Sequence, residues 1–343
     1  MLAVETTGLT KDYRLGFWRN RSKRALDGLT LSVEQGEIFG LLGPNGAGKT
    51  TTLKLLLRLV FPTAGSGRIL GRPLHDVHVH SRIGYLPENP SLYDHLTAQE
   101  FLVYAGWLCG VDPAVRRRRS RELLEQVGLA ESAGVAVRKF SKGMVQRLGI
   151  AQALINNPEV VFFDEPMSGL DPLGRRQVRD LILSLRRLGK TVFFSTHILS
   201  DAEALCDRVA ILHRGRLQGS GSLSEILGTG VGSAELLLDK PAPDVLAALE
   251  PFATATVRTG DRVRLELRAD ANTATVLQAA LRAGASIVSF NPVKLSLEDY
   301  FVTKVESSGP GAGKAGVADL TAPGAEPDTD ADAHEAHVEL GRR

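Results

Sequence analysis

Gly43-Pro44-Asn45-Gly46-Ala47-Gly48-Lys49-Thr50 fits the phosphate-loop pattern G-x-x-x-x-G-K-[ST] at every fixed position. The apolar run Ile38-Phe39-Gly40-Leu41-Leu42 before it reads as a buried strand. Thr51-Thr52-Leu53-Lys54-Leu55-Leu56-Leu57 after it reads as a helix. The glycines let successive backbone N–H groups fold into a nest around one anion. The helix that starts near Gly48 adds its positive end at the same place. Lys49 is expected to reach the β- and γ-phosphates, and Thr50 to offer its hydroxyl to Mg²⁺. The stretch from Gly43 to Thr51 is therefore the expected nucleotide-binding segment.

Outward from this loop, 343 residues suffice for one large domain and a smaller one. Apolar content of 43% and charged content of 23% are those of an ordinary globular chain. A net charge of +2 does not suggest a dedicated nucleic-acid binder. There is no apolar run of membrane-spanning length and no signal-peptide pattern. Cys109 and Cys206 sit in helical patterns and are expected to be buried free thiols in a reducing cytosol.

Upstream of the loop the chain reads as two or three strands. Arg14 to Arg24, with Phe17 and Trp18, reads as an exposed arginine-rich loop. Tyr13 is placed to stack on a base, with Phe17 and Trp18 as rivals. Downstream, Gly67–Leu70 and Arg82–Leu86 read as strands. Thr97-Ala98-Gln99-Glu100 is a capping box, and Asp112-Pro113 opens the next helix. The run Arg116-Arg117-Arg118-Arg119 reads first as a solvated helix face. Ser141 sits where an N-cap belongs, leaving several free N–H donors at a helix start. Val160–Phe163 and Thr191–Phe194 are apolar on both faces, as central parallel strands are. Asp164-Glu165 and His197 follow them. Asp171-Pro172 opens a helix that Gly189 closes, and Ser200 with Glu203 reads as a capping box. Strands alternating with helices imply an α/β fold with a mostly parallel sheet and its ligand at the strands' carboxyl ends. Residues 220–235 read as a Gly/Ser-rich linker. From about 235 to 305 the order β-α-β-β-α-β is the ferredoxin-like one. From about 306 the composition predicts disorder.

The ordered set of phosphate loop, Glu88, Phe140-Ser141-Lys142-Gly143-Met144, Asp164-Glu165, Ser168-Gly169-Leu170-Asp171 and His197 resembles the nucleotide-binding subunit of ABC transporters, over roughly residues 3–225. Leu297-Glu298-Asp299-Tyr300-Phe301 resembles the bacterial branch that exports drugs, lipids or polysaccharides. The resemblance implies a phosphate-loop ATPase domain over 1–225, with an antiparallel N-terminal part and a helical subdomain near 88–140. A linker at 226–234 and the small C-terminal domain would follow. It implies ATP and Mg²⁺ as cofactors, with Asp164 and Glu88 on the metal. Glu165 would be the general base and His197 a γ-phosphate partner. Ser141, Gly143 and Asp171 would face a second copy, so that a C2 pair encloses two ATP molecules. The segment from Glu88 to about Lys139 would dock an integral membrane permease at the cytoplasmic face of the membrane.

The sequence departs from that pattern at three places. Glu88 stands where the family usually has Gln; at ~6 Å from a γ-phosphate and an effective ε of about 20 the repulsion is roughly 3 kcal/mol, which Mg²⁺ would offset. Lys142 and Met144 replace Gly and Gln of the usual Leu-Ser-Gly-Gly-Gln. The Arg14–Arg24 stretch is an insertion. A soluble ABC-type ATPase of DNA repair or translation usually carries a coiled-coil insertion or two ATPase units, and neither pattern is present. The other alternative is a regulator in which ATP binding alone is the signal. Glu165 separates the two, because Glu165→Gln would leave phosphate release unchanged only in the regulator.

Overall fold

A long antiparallel hairpin, β1 (Leu2–Leu15) and β2 (Arg21–Glu34), begins the chain. The computed structural model describes residues 1–15, 21–227, 231–268, 271–294, 297, 298 and 300. Phe17, Trp18, Asp299, Phe301 and the tail from 306 lie outside them, with the expectations that fall there. The described ends of the arginine-rich stretch expected as a loop, residues 14, 15 and 21–24, lie in the two strands, with Tyr13 opposite Lys23 and Arg14 opposite Ser22. Its charges are ladder partners: Arg24 faces Asp12 at 2.9 Å and also reaches Asp27 at 3.0 Å. Opposite-charge pairs across strands hold such an exposed arm in register.

β3 (Ile38–Leu42) leads through the glycine loop into α1 (Lys49–Leu56). β4 (Ala64–Ile69) returns to pair with β1, and β5 (Arg72–Pro73) completes a first sheet of order β2-β1-β4-β5. β6 (Ile83–Leu86) precedes three helices, α2 (Ala98–Leu108), α3 (Pro113–Gln126) and α4 (Lys142–Ala153). Then come β7 (Val160–Asp164), α5 (Pro172–Arg187), β8 (Thr191–Thr196), α6 (Leu199–Leu205), β9 (Arg208–His213), β10 (Arg216–Ser222) and α7 (Leu223–Leu227). The second sheet runs β10-β9-β3-β8-β7-β6, parallel from β9 to β6 with β10 antiparallel at its edge.

Every residue of β3, β7 and β8 is buried. Alternation sends Phe39, Phe162 and Phe193 into the core shared with the hairpin sheet. It sends Phe163, Val192 and Phe194 into the core under the helices. A sheet covered on both sides needs continuous apolar strands, which is why these read so plainly in the sequence.

The helix starts follow their caps. Thr97 and Glu100 form the reciprocal box, and Asp112, Ser141 and Asp171 accept from Ala114, Met144 and Gly174 N–H groups. The Ser200–Glu203 box does not form. α6 begins at Leu199 without a side-chain cap, and the Glu203 carboxylate instead accepts the Leu297 backbone N–H at 2.6 Å. Two arginines of the run at 116–119 are not simply solvated: Arg116 donates to Val111 O at 2.8 Å and Arg119 to Leu154 O at 3.1 Å. Cys206 is buried, but Cys109, just past the end of α2, is exposed.

The C-terminal part comprises β11 (Val231–Asp239), α8 (Pro243–Leu249), β12 (Ala253–Thr259), β13 (Arg262–Leu267), α9 (Thr273–Arg282) and β14 (Ser286–Lys294). Its sheet order is β12-β13-β11-β14 with every pair antiparallel, which is the ferredoxin-like arrangement. Leu236, Leu238, Val263 and Leu265 form a separate core with Val245, Leu249 and Val276 of the helices. The stretch read as linker holds the end of β10, α7 and the start of β11. Among the described residues no helix is long and apolar enough to cross a membrane.

Candidate active site

The carboxyl ends of β3 and β8 and the residue after β7 open onto a cleft of about 760 Å³. Asn45 to Thr51 form its floor, and Tyr13, Glu88, Glu165, Ser168 and His197 line its walls. Lys23, Arg24 and Arg214 line it as well, and the sequence reading had singled out none of them for the site. The loop is packed to glycine tolerances. Gly48 has φ 110°, and a Cβ there would lie 2.6 Å from the Ala25 carbonyl oxygen. Lys49 is fixed from below, donating to Gly43 O at 2.7 Å and Pro44 O at 3.3 Å. Its ammonium also stands 3.1 Å from Glu165 Oε1. A cation held among three oxygens is already aimed where phosphate oxygens would compete for it.

Asp164 ends β7, fully within the sheet. Its Oδ1 accepts from Ser195 Oγ at 2.6 Å and from Thr50 Oγ1 at 3.2 Å. Ser195 Oγ in turn accepts the Glu165 N–H at 3.0 Å. One buried hydroxyl therefore ties both acids to β8. Glu165 itself has φ 48°, a left-handed conformation that costs a non-glycine residue roughly 1–2 kcal/mol. Such strain persists only where neighbours enforce it. Here the Ser195 bond, Lys49 and His197 do so. His197 Nδ1 lies 2.9 Å from Glu165 Oε2; a carboxylate only accepts, so Nδ1 carries the proton. Burial, helped by the Asp164 charge, pushes the Tyr85 phenol up to about 12 and keeps it neutral.

Ser141, Gly143 and Asp171 do not line this cleft. Ser141 is an exposed cap at the start of α4, and Asp171 caps α5. Ser195 was missed by the sequence reading. The available signal was a hydroxyl directly after the buried Val192-Phe193-Phe194 run, where a polar group needs a partner.

The donor set fits Mg²⁺. Thr50 and Asp164 bring hydroxyl and carboxylate oxygens within 3.2 Å of each other, and Glu88 lines the same cleft. Among the described residues no cluster of three or more His, Cys, Asp or Glu could hold a metal by itself. That is the arrangement for a hard cation bound by one or two protein oxygens, substrate phosphates and water.

A glycine loop between strand and helix, with buried acids after the neighbouring strand, defines the chain as a phosphate-loop ATPase. The family model for ABC transporters matches residues 26–168. An uncharacterized ABC transporter ATP-binding protein of Synechocystis sp. is 47% identical over 89% of this chain and 85% of its own length. The daunorubicin/doxorubicin resistance ATP-binding protein of Streptomyces peucetius is 35% identical over 88% and 91% of the two chains. A dimeric ATP-binding cassette solved in a post-hydrolysis state with ADP and Pi superposes with a TM-score of 0.58. It is 28% identical, over 64% of this chain and 98% of that one. The chain belongs to the ATP-binding proteins of ABC transporters and is an ATPase subunit of that class.

Proposed function

We propose that this subunit powers export through a separate membrane permease, working as a homodimer at the cytoplasmic face. The observation that carries the reading is Glu165, buried in the cleft wall between Lys49 and His197. A base in that position can take a proton from a water aligned on the γ-phosphorus. Lys49 and the loop N–H groups hold the β- and γ-phosphates, and Tyr13 stacks on the adenine. His197 orients the water and the leaving phosphate. Thr50, Asp164 and Glu88 would hold Mg²⁺, which when bound neutralises phosphate charge.

Ser141, Gly143 and Asp171 lie outside the cleft of their own protomer, as residues serving a partner's ATP would. Closure on ATP and reopening after hydrolysis then drive the permease through the segment 88–139. The ATPase unit is taken as 1–225, joined through 226–234 to the small domain at 235–305. Export is supported by the similarity to the Nod factor export ATP-binding protein I of Burkholderia lata, 36% identical over 73% of this chain and 83% of its own length. The test is to capture the Glu165→Gln chain with ATP from membranes and identify the integral protein retained. Inverted vesicles bearing that pair should accumulate its substrate only with hydrolysable ATP. Recovery of no integral membrane protein would overturn the reading.

A further inference from the structure

The chain leaves the ferredoxin-like unit and returns to the ATPase core. Leu297 has no exposed surface and belongs to the core that contains Ala202 and Leu205 of α6. Its backbone N–H is accepted by Glu203 of α6 at 2.6 Å. Tyr300 joins the same core and covers β10 so closely that a Cβ on Gly219 would lie 2.7 Å from its hydroxyl. The other side of α6 is held too: Asp201, 1% exposed, pairs with Arg175 of α5 at 2.7 Å. α6 starts at Leu199, two residues after His197, without a side-chain cap of its own. A short helix with an uncapped start depends on outside contacts for its position. Glu203 is exposed, yet it reaches a residue 94 positions away.

We propose that Glu203 is a positioning residue for His197. The anchor at Leu297 and Tyr300 holds α6, α6 sets the His197 backbone, and the C-terminal unit thereby controls turnover. The inference rests on the proposed role of His197 in hydrolysis.

The test uses the full chain and single-turnover release of phosphate from radiolabelled ATP. Glu203→Ala removes the acceptor. Gly219→Val pushes Tyr300 off β10 from the opposite side and leaves α6 untouched. Each is expected to lower the rate about fivefold, with ATP affinity within about twofold of the parent. Glu203→Gln keeps an oxygen acceptor and should recover most of the rate. In a His197→Ala background neither Glu203→Ala nor Gly219→Val should have a further effect, because residues acting through one group are not additive. Parental rates in both variants would overturn the proposal. So would an undiminished loss in the His197→Ala background, or a Glu203→Gln chain as slow as Glu203→Ala. A His197→Ala chain at the parental rate would overturn the role of His197 and this inference together, which separates the two failures.

Discussion

Lys49 and Glu165 form a buried ion pair at 3.1 Å, with their side chains only 6% and 8% exposed. The pair puts the proposed phosphate-binding cation and the proposed base on each other, so an arriving γ-phosphate would compete with Glu165 for the same ammonium. With Lys49 drawn away, the Glu165 carboxylate would keep His197 as its side-chain partner among the described residues and could turn to water. Glu165→Gln is therefore expected to retain ATP binding while phosphate release falls by at least about 10²-fold, the usual worth of a positioned base. Equilibrium binding and steady-state release on the same preparation check this. Turnover within a few-fold of the parent would remove Glu165 from the reaction.

Ser195 offers a sharper test of how the acids are held. Its hydroxyl donates to Asp164 and accepts from the Glu165 amide, at the carboxyl end of the sheet. Ser195→Ala leaves a buried N–H without its partner and one Asp164 bond unmade. The expected cost is about 1–3 kcal/mol of stability, read by denaturant unfolding. The kcat should fall more than KM rises, because the left-handed Glu165 loses one of the contacts that enforce it. A stability loss with unchanged kcat would make Ser195 purely structural.

The most legible parts of the chain were those where local chemistry dictates the backbone. Glycine spacing gave the phosphate loop, and continuous apolar runs gave Val160–Phe163 and Thr191–Phe194. Thr97, Asp112, Ser141 and Asp171 announced their helices because a cap acts within three residues. What failed were readings that long-range contacts decide. Arg24 looked like loop composition until its cross-strand partner Asp12 was known. Glu203 looked like a local cap because Leu297, its actual partner, is distant in sequence. Arg119 looked solvated because the Leu154 carbonyl it serves comes from another helix's end.

Tyr13 lies in the cleft wall with the Lys11 ammonium 5.2 Å from its ring centroid. A ring with a cation near it and open space at the cleft can present a face to a base. Tyr13→Ala is expected to raise KM for ATP about fivefold, roughly 1 kcal/mol of stacking, with kcat unchanged. Tyr13→Phe should behave as the parent, since the hydroxyl has no part in stacking. Titration with a fluorescent ATP analogue measures the affinity directly. An Ala variant that binds as tightly as the parent would hand the stacking role to another residue.

Gly169, in the turn that leads to Asp171, has φ 65° and lies directly beneath the Lys142 ammonium, in the space a Cβ would need. Lys142 occupies the first turn of α4, where the helix dipole disfavours a cation, and no carboxylate among the described residues pairs with it. Gly169→Ala therefore meets two penalties, the left-handed backbone and the displaced lysine. The backbone alone is expected to cost about 1–2 kcal/mol. Lys142→Gly removes the second penalty, so the double variant should be more stable than the sum of the single changes by about 0.5–1 kcal/mol. Thermal unfolding of the four proteins gives the cycle. Strict additivity would mean that Lys142 moves aside freely and does not hold the turn.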